Sequence, residues 1–371
     1  MRKFIDECLK DREFESQIGE KAIKNRLQTL LRELCGKIAD ECDFNEILKT
    51  DVLKHLRGEI KEWWVRVPIA NLKLKEPITI GSVKFEDFNE GLVANNEMIS
   101  NHKGGGDFSR QMSDKATFYK ILNEISQQGM AWAVTTINVH EKKVIEVARE
   151  QFEAALNAIR AFAHVFYSHD LNVAFGLPYE LTAGTTGFIA KSQENISIQI
   201  DRRRFFVTFE LTDKILKDLK EKFHLENLSV IVGKKWDDLN TLERAIRVAY
   251  LWLGRSVIAS TYAESFTQCT IAIERLLIVD GEETTTERFA DRLAYLWSDE
   301  SDARKSIHKL AKRLYDIRSN IVHAGFESVE LHQLKQIEEI AIGALVKTNA
   351  WLDKLDSHDA FREMLHDRKM E

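Results

Sequence analysis

The chain changes texture twice along its length. Over residues 1 to about 62, charged residues are interleaved with helically spaced apolar ones. In IKNRLQTLLRELCGKIA, positions Ile23, Leu27, Leu30, Leu31 and Leu34 share one helical stripe. The segment WWVRVPIANLKLKEPITIGSVKFEDF then alternates apolar and polar residues and holds Pro68 and Pro77, which predicts short strands. MAWAVTTINV predicts another strand, and KKVIEVAREQFEAALNAIRAFAHVF (142–166) an amphipathic helix. ISIQIDRRRFFVTFEL reads as a hairpin with the arginine run at its polar turn. From Asn240 onward the pattern is helical only, and no proline follows Pro178. Asn240 and Thr241 can cap a helix reaching about Tyr262. Further helices are predicted over 264–279, closed by Gly281, over 286–297, over 302–324, stopped at Gly325, and over 328–355. The expected fold is α+β, a mixed helix/strand module followed by an all-α bundle. Its expected parts are 1–62 (charged helices), 63–236 (α+β module) and 237–371 (helical bundle).

Composition narrows the function classes. A chain of 371 residues that is 44% hydrophobic can bury a sizeable core in two or three domains, at about 150 residues each. Its net charge of -6 gives no global basic field for coating nucleic acid, so any such contact must come from a local patch. Cys8, Cys35, Cys42 and Cys269 form no CxxC pair and have no neighbouring histidine pair. That argues against a metal site or a disulfide framework and fits a reducing cytoplasm. MRKFIDECLKDREFE has no apolar signal core. No uncharged apolar run reaches the ~18 residues of a membrane span. A cytoplasmic protein with no membrane partner, no metal and no cofactor is expected.

The most informative stretch is RLYDIRSNIVHAG, residues 313–325. Ile307, Leu310, Ala311, Leu314, Ile317 and Ile321 define a core stripe on this helix. Arg318 falls only about 20° from Ile307 on the helical wheel, so it lies on the stripe and must be paired. Tyr315, Ser319 and His323 fan out along one flank, at roughly 80°, 120° and 160°. His323 sits in the last turn, where the helix carbonyls favour a cation and where a proton-exchanging role is open to it. Arg304, Lys305, Lys309, Lys312, Arg313 and Arg318 face only Asp316 within 304–318, a basic strip that suits a phosphate backbone. From spacing alone, a capping histidine on a solvated basic helix is the favoured reading of the same residues.

Weaker candidates lie elsewhere. DRRRFF (201–206) sets arginines beside phenylalanines and suits phosphate contact with base stacking, or a polar turn before a buried strand. KGGGD (103–107) lacks the following GK[ST] of a phosphate-binding loop and reads as a flexible loop. His164, His169 and Asp170 are poorly spaced for a metal and suit core or cap roles.

LYDIRSNIVHAG resembles the signature of the HEPN superfamily, in its Apea-like branch: an arginine, a polar residue, three more residues, then histidine near a helix end. FTQCTIAIERLL resembles that branch's helix with an acidic residue, placing Glu274 there, and TTERFADRLAYL resembles its next helix, with Arg292 at the arginine. The likeness covers roughly 240–350. The family often has asparagine, aspartate or histidine directly after the arginine; here Ser319 and then Asn320 follow.

The resemblance implies a metal-independent endoribonuclease that works as a homodimer, with two Arg/His sets facing one cleft. Attack by the RNA 2′-hydroxyl would leave a cyclic phosphate and a 5′-hydroxyl. Such proteins commonly act as regulated toxins or effectors in prokaryotic anti-phage defence. On this reading His323 moves protons and Arg318 holds the phosphate. Ser319 or Asn320 adds a hydrogen bond, Tyr315, Glu274 and Arg292 support them, and Lys305, Lys309, Lys312 and Arg313 hold RNA. Glu274 has two partners open to it, Arg318 and Arg292, and a structural pair with Arg292 is the favoured expectation. Residues 1–236 are expected to sense a trigger or bind a regulatory partner. The alternative is a non-catalytic HEPN-like scaffold that binds a nucleotide or holds a dimer together.

Overall fold

The computed structural model describes residues 17–18, 20–34, 54–87, 130–167, 173–178, 180–181, 184–191, 196–203, 207–279, 281–282, 285–325 and 328–370. The glycine loop 103–107, Cys8, Cys35, Cys42, His169 and Asp170 lie outside the described residues. So do the side chains of Leu30, Leu31 and Leu34. The fold is α+β, as the two textures predict. The chain forms two compact units, one of residues 1–67 and 134–153, the other of residues 68–133 and 154–371.

In the first unit, α1 (Glu20–Leu34) buries Ala22, Ile23 and Leu27, the inward side of the predicted stripe. Strands β1 (Ile60–Ala70) and β5 (Met130–His140) enter this unit, and the Trp63 indole Nε1 donates to the Val139 carbonyl at 2.9 Å. His140 lies 2.9 Å from the Glu59 carboxylate, and Thr135 donates to Gln151 at 2.6 Å. Gln151 belongs to α2 (Val144–Arg160).

The second unit begins with three short strands, β2 (Leu72–Leu74), β3 (Ile78–Ile80) and β4 (Val83–Asp87). The main sheet has the order β1-β5-β4-β3. β3 and β4 are joined by a two-residue turn, with Ile80 opposite Val83. Gly81 takes φ +60 there, the left-handed conformation such a turn requires, and a side chain on it would strike Val232. Arg160, at the end of α2, is fully buried. Its guanidinium is held by the Phe175 carbonyl at 2.6 Å and by Glu180 at 2.5 Å. A buried guanidinium without such partners would be strongly destabilising. A one-turn helix, α3 (Ala163–Phe166), follows.

The hairpin corrects the sequence reading. β6 (Gly184–Lys191) pairs with β7 (Ile196–Arg203), so Arg202 stands opposite Thr185 and Arg203 opposite Gly184. Arg202 and Arg203 therefore lie at the end of the β6–β7 pair opposite to Lys191 and Ile196, where the two strands follow one another in the chain. DRRR carries no glycine or asparagine to supply the positive φ of a tight turn. β8 (Phe209–Leu211) leaves the hairpin and pairs in parallel with β2, Leu72 beside Phe209.

The rest of the unit is helical: α4 (Asp213–Glu221), α5 (Leu225–Gly233), α6 (Thr241–Ser256), α7 (Tyr262–Leu277), α8 (Thr286–Trp297), α9 (Ser301–Ala324), α10 (Leu331–Asn349) and α11 (His358–Met370). Asn240 accepts from the Glu243 backbone N–H, and the Glu243 carboxylate accepts from the Asn240 N–H, a reciprocal cap that starts α6. α6 packs chiefly on α7, α8 on α9, and α10 on α7. Phe266, Phe289, Leu293, Leu314 and Phe361 fill the space between them, each contributing roughly 1.5–3 kcal/mol by leaving water. The expected helix ending at about Tyr262 stops at Ser256, and the expected 328–355 helix ends at Asn349. Thr261 accepts from Glu264 N–H and so begins α7 anew.

Candidate active site

Three neighbouring helices carry the candidate residues. α7 supplies Glu274, α8 supplies Arg292, and α9 supplies Lys305 through His323. The α9 stripe is narrower than the spacing suggested. Ala311, Leu314 and Tyr315 are buried, while Ile307, Leu310, Ile317 and Ile321 are only half-buried. Arg318 does lie on the inward side, with its side chain 21% exposed. Gly325 ends the helix at φ +65, and its N–H bonds the Asn320 carbonyl, as the predicted stop requires.

Arg318 Nη2 faces the Glu274 carboxylate at 3.6 Å. This is an attraction without a hydrogen bond: Arg318 Nε and Glu274 Oε1 are both buried and lack a hydrogen-bond partner. The guanidinium lies 5.7 Å from the Tyr315 ring centre, and that ring packs on Phe289 at 4.9 Å. Burial raises the Tyr315 phenol above its usual range, the Glu274 charge adds to this, and Arg318 opposes it. Tyr315, Arg318 and Glu274 thus form one cluster between α7 and α9.

Arg292 does not join that cluster, which corrects the favoured expectation. Its Nη1 and Nη2 grip Glu282 at 2.6 and 3.0 Å, and Nη1 also donates to the Leu277 carbonyl at 2.7 Å. The reason is local. The α7 helix exposes unpaired carbonyls at its end, and Glu282 lies in the short connection just beyond. Glu282 also accepts from the Val279 N–H at 3.2 Å. These hydrogen bonds, Arg292 first, hold its carboxyl down to about 2 against burial. Sequence reasoning missed Glu282 because it belongs to a loop rather than a periodic face; the acidic pair after Gly281 was its signal.

The remaining predicted residues are at the surface or near it. His323 and Asn320 are exposed and Ser319 is half-buried. Five residues of helix separate Arg318 from His323 by about 7.5 Å along the axis. The basic strip is less bare than its sequence. Lys305 pairs with Asp302 at 3.2 Å, Lys312 with Glu287, and Arg313 donates to Gln336 at 3.0 Å. Lys309 is exposed. Glu287 and Asp291 of α8 also flank His308, at 3.5 and 3.2 Å. Acids from a second helix, invisible to a window on α9 alone, interleave the strip.

His164 takes a core role. Its Nδ1 lies 3.2 Å from Glu338, which Ser265 also approaches at 3.5 Å. Cys269 is fully buried in the same helical unit, and burial, with the Glu338 charge second, pushes its thiol well up. Among the described residues no group of three or more His, Cys, Asp or Glu is placed to hold a metal, and no helix is long and apolar enough to cross a membrane. Two surface cavities of about 470 and 260 Å³, which share Leu216, Lys220 and Glu226, are lined by none of the candidate residues.

A scan against protein-family models finds no match to this chain, and neither curated proteins nor solved structures give one.

Proposed function

We propose that the helical unit is a HEPN-like, metal-independent endoribonuclease of the Apea-like kind, acting as a homodimer and regulated within a defence system. The observation that supports it best is the looseness of the Arg318–Glu274 pair. At 3.6 Å Arg318 Nη2 is not hydrogen-bonded to Glu274, and the side chain is 21% exposed, so its guanidinium end can turn to a better anion. A phosphate accepts a guanidinium fork bidentately, which Glu274 here does not.

In the proposed reaction the RNA 2′-hydroxyl attacks the adjacent phosphorus. His323 takes the hydroxyl proton, or returns one to the departing 5′-oxygen. Arg318 holds the charge that builds on the phosphoryl oxygens. The P–O5′ bond breaks as the O2′–P bond forms, leaving a 2′,3′-cyclic phosphate and a 5′-hydroxyl. Ser319 and Asn320 stand beside the histidine to hydrogen-bond the substrate, and Lys309 and Arg313 to meet its backbone. His323 is exposed, which suits a site completed by a second copy. Residues 1–236 would then respond to a trigger or partner.

A second reading has its own support. Arg318 also ties α9 to α7 through Glu274 while stacking on Tyr315, the arrangement expected of a scaffold that binds a nucleotide or dimerises. RNA cleavage in EDTA by wild type, Arg318→Ala and His323→Ala separates the two. The nuclease reading expects cyclic-phosphate ends from wild type and a loss of at least about 100-fold in each folded variant. Variants that cut like wild type, or a wild type inert on diverse RNAs, favour the scaffold.

A further inference from the structure

A second basic surface lies where α5 gives way to α6. The chain leaves α5 at Gly233, passes Lys234 and Lys235, makes one 3₁₀ turn over Trp236–Asp238, and enters α6 at Thr241. Trp236 is 48% exposed. The indole is nonetheless held in a defined setting. The guanidinium carbon of Arg244 lies 5.5 Å from its ring centre and that of Arg247 lies 6.0 Å away.

Both arginines stand on the first two turns of α6 and are fixed by backbone oxygens. Arg244 Nε donates to the Trp236 carbonyl at 3.2 Å and Nη2 to the Asp237 carbonyl at 3.5 Å. Arg247 Nη1 donates to the Lys234 carbonyl at 3.0 Å. A guanidinium has five N–H donors, so most of each fork remains for an incoming oxygen. Glu243, the acid beside them on α6, is already committed to the Asn240 N–H at 3.0 Å and to Lys234 at 2.5 Å. Lys235, the residue before Trp236, is exposed. Asp237 and Asp238 are exposed on the same turn, so recognition here depends on the ring as well as on charge.

We propose that Trp236, Arg244, Arg247 and Lys235 form a docking platform for single-stranded RNA. One unpaired base stacks on the indole, and its flanking phosphates meet the pre-positioned guanidiniums and Lys235. A duplex fits poorly, because its bases are already stacked on one another. The choice of RNA over other single strands rests on the ribonuclease reading; the pairing of a stacking face with phosphate donors does not.

The test is anisotropy of a short labelled single-stranded RNA titrated with full-length Arg318→Ala/His323→Ala protein, which leaves the probe uncut. Adding Trp236→Ala is expected to weaken binding about tenfold, and Trp236→Phe, which keeps a stacking face, to stay within about threefold. Arg244→Ala/Arg247→Ala is expected to flatten the slope of log affinity against log salt by about 1.4, at about 0.7 per phosphate contact. Circular dichroism checks that each variant folds. Binding by the Trp236→Ala protein within about twofold of its parent, or no binding by the parent at all, overturns the platform. Tryptophan-dependent binding by a wild type that never cuts RNA upholds the platform and overturns the ribonuclease reading. Cleavage with Trp236-independent binding does the reverse.

Discussion

Arg292 and Arg318 are both largely buried arginines on consecutive helices, each facing a glutamate, yet they are held very differently. Arg292 grips Glu282 with two nitrogens at 2.6 and 3.0 Å and spends a further bond on the Leu277 carbonyl. Arg318 stands 3.6 Å from Glu274, and each side keeps an atom unbonded. The first pair closes the connection between α7 and α8 and commits three of the five guanidinium N–H groups. The second balances charge at 3.6 Å without a hydrogen bond between its partners. Both arginines thus have a charge partner; what distinguishes them is the hydrogen-bond geometry.

The largest effect should come from the tight pair. Arg292→Ala is expected to cost about 3 kcal/mol by leaving Glu282 charged, part-buried and without its fork. Its double-mutant cycle with Glu282→Gln in urea should show coupling of about 2 kcal/mol. Coupling near zero would erase the contrast.

Acid should expose the same pair next. The Glu282 carboxyl is held at about 2 instead of 4.5. Its contribution is therefore complete above pH 4.5 and is lost as pH falls toward 2. Wild type should exceed Glu282→Gln in urea midpoint at neutral pH, and the gap should close through that window. A gap that is constant with pH would show that the pair is not what stabilises the turn.

The loose pair should respond weakly. The same cycle for Arg318 and Glu274 is expected to give less than about 1 kcal/mol. A value matching that of Arg292–Glu282 would place Arg318 among the structural arginines. The smallest effect is spectroscopic. Glu274→Gln removes the second-largest cause of the raised Tyr315 phenol, so ultraviolet titration should show one tyrosine ionising at lower pH than in wild type.

Periodicity and caps carried most of the helical half. The helix over 286–297 and the stop at Gly325 were legible because a threonine cap and a left-handed glycine are local signals. The inward position of Arg318 was legible from its wheel angle. The break at residues 257–261 was not, because Val257 and Ile258 continue the apolar pattern and only the Thr261 cap betrays a new helix. The helix over His358–Met370 was missed although Ser357 Oγ accepts from the Ala360 N–H at its start. What lay beyond local reading was tertiary: Glu282 in a loop, Glu287 reaching Lys312 from another helix, and Glu338 meeting His164 across 174 residues of sequence.

The parallel pairing of β2 with β8 has a consequence for how this chain is made and how it can change. Lys73 and Glu210, bonded across those strands at 2.6 Å, are separated by 137 residues. During synthesis, Leu72 and Leu74 must wait for Phe209 and Leu211 to emerge before either strand has its partner. Everything between the two strands is then a closed insertion whose ends are pinned side by side. Lengthening a flexible loop inside it is cheap, at about 0.6 kcal/mol per doubling, but its structured parts are tied to the helices that follow: Gly81 packs on Val232 of α5 and His164 meets Glu338 of α10. A cut inside it would leave β2 and β8 on separate fragments that pair only through their own contacts.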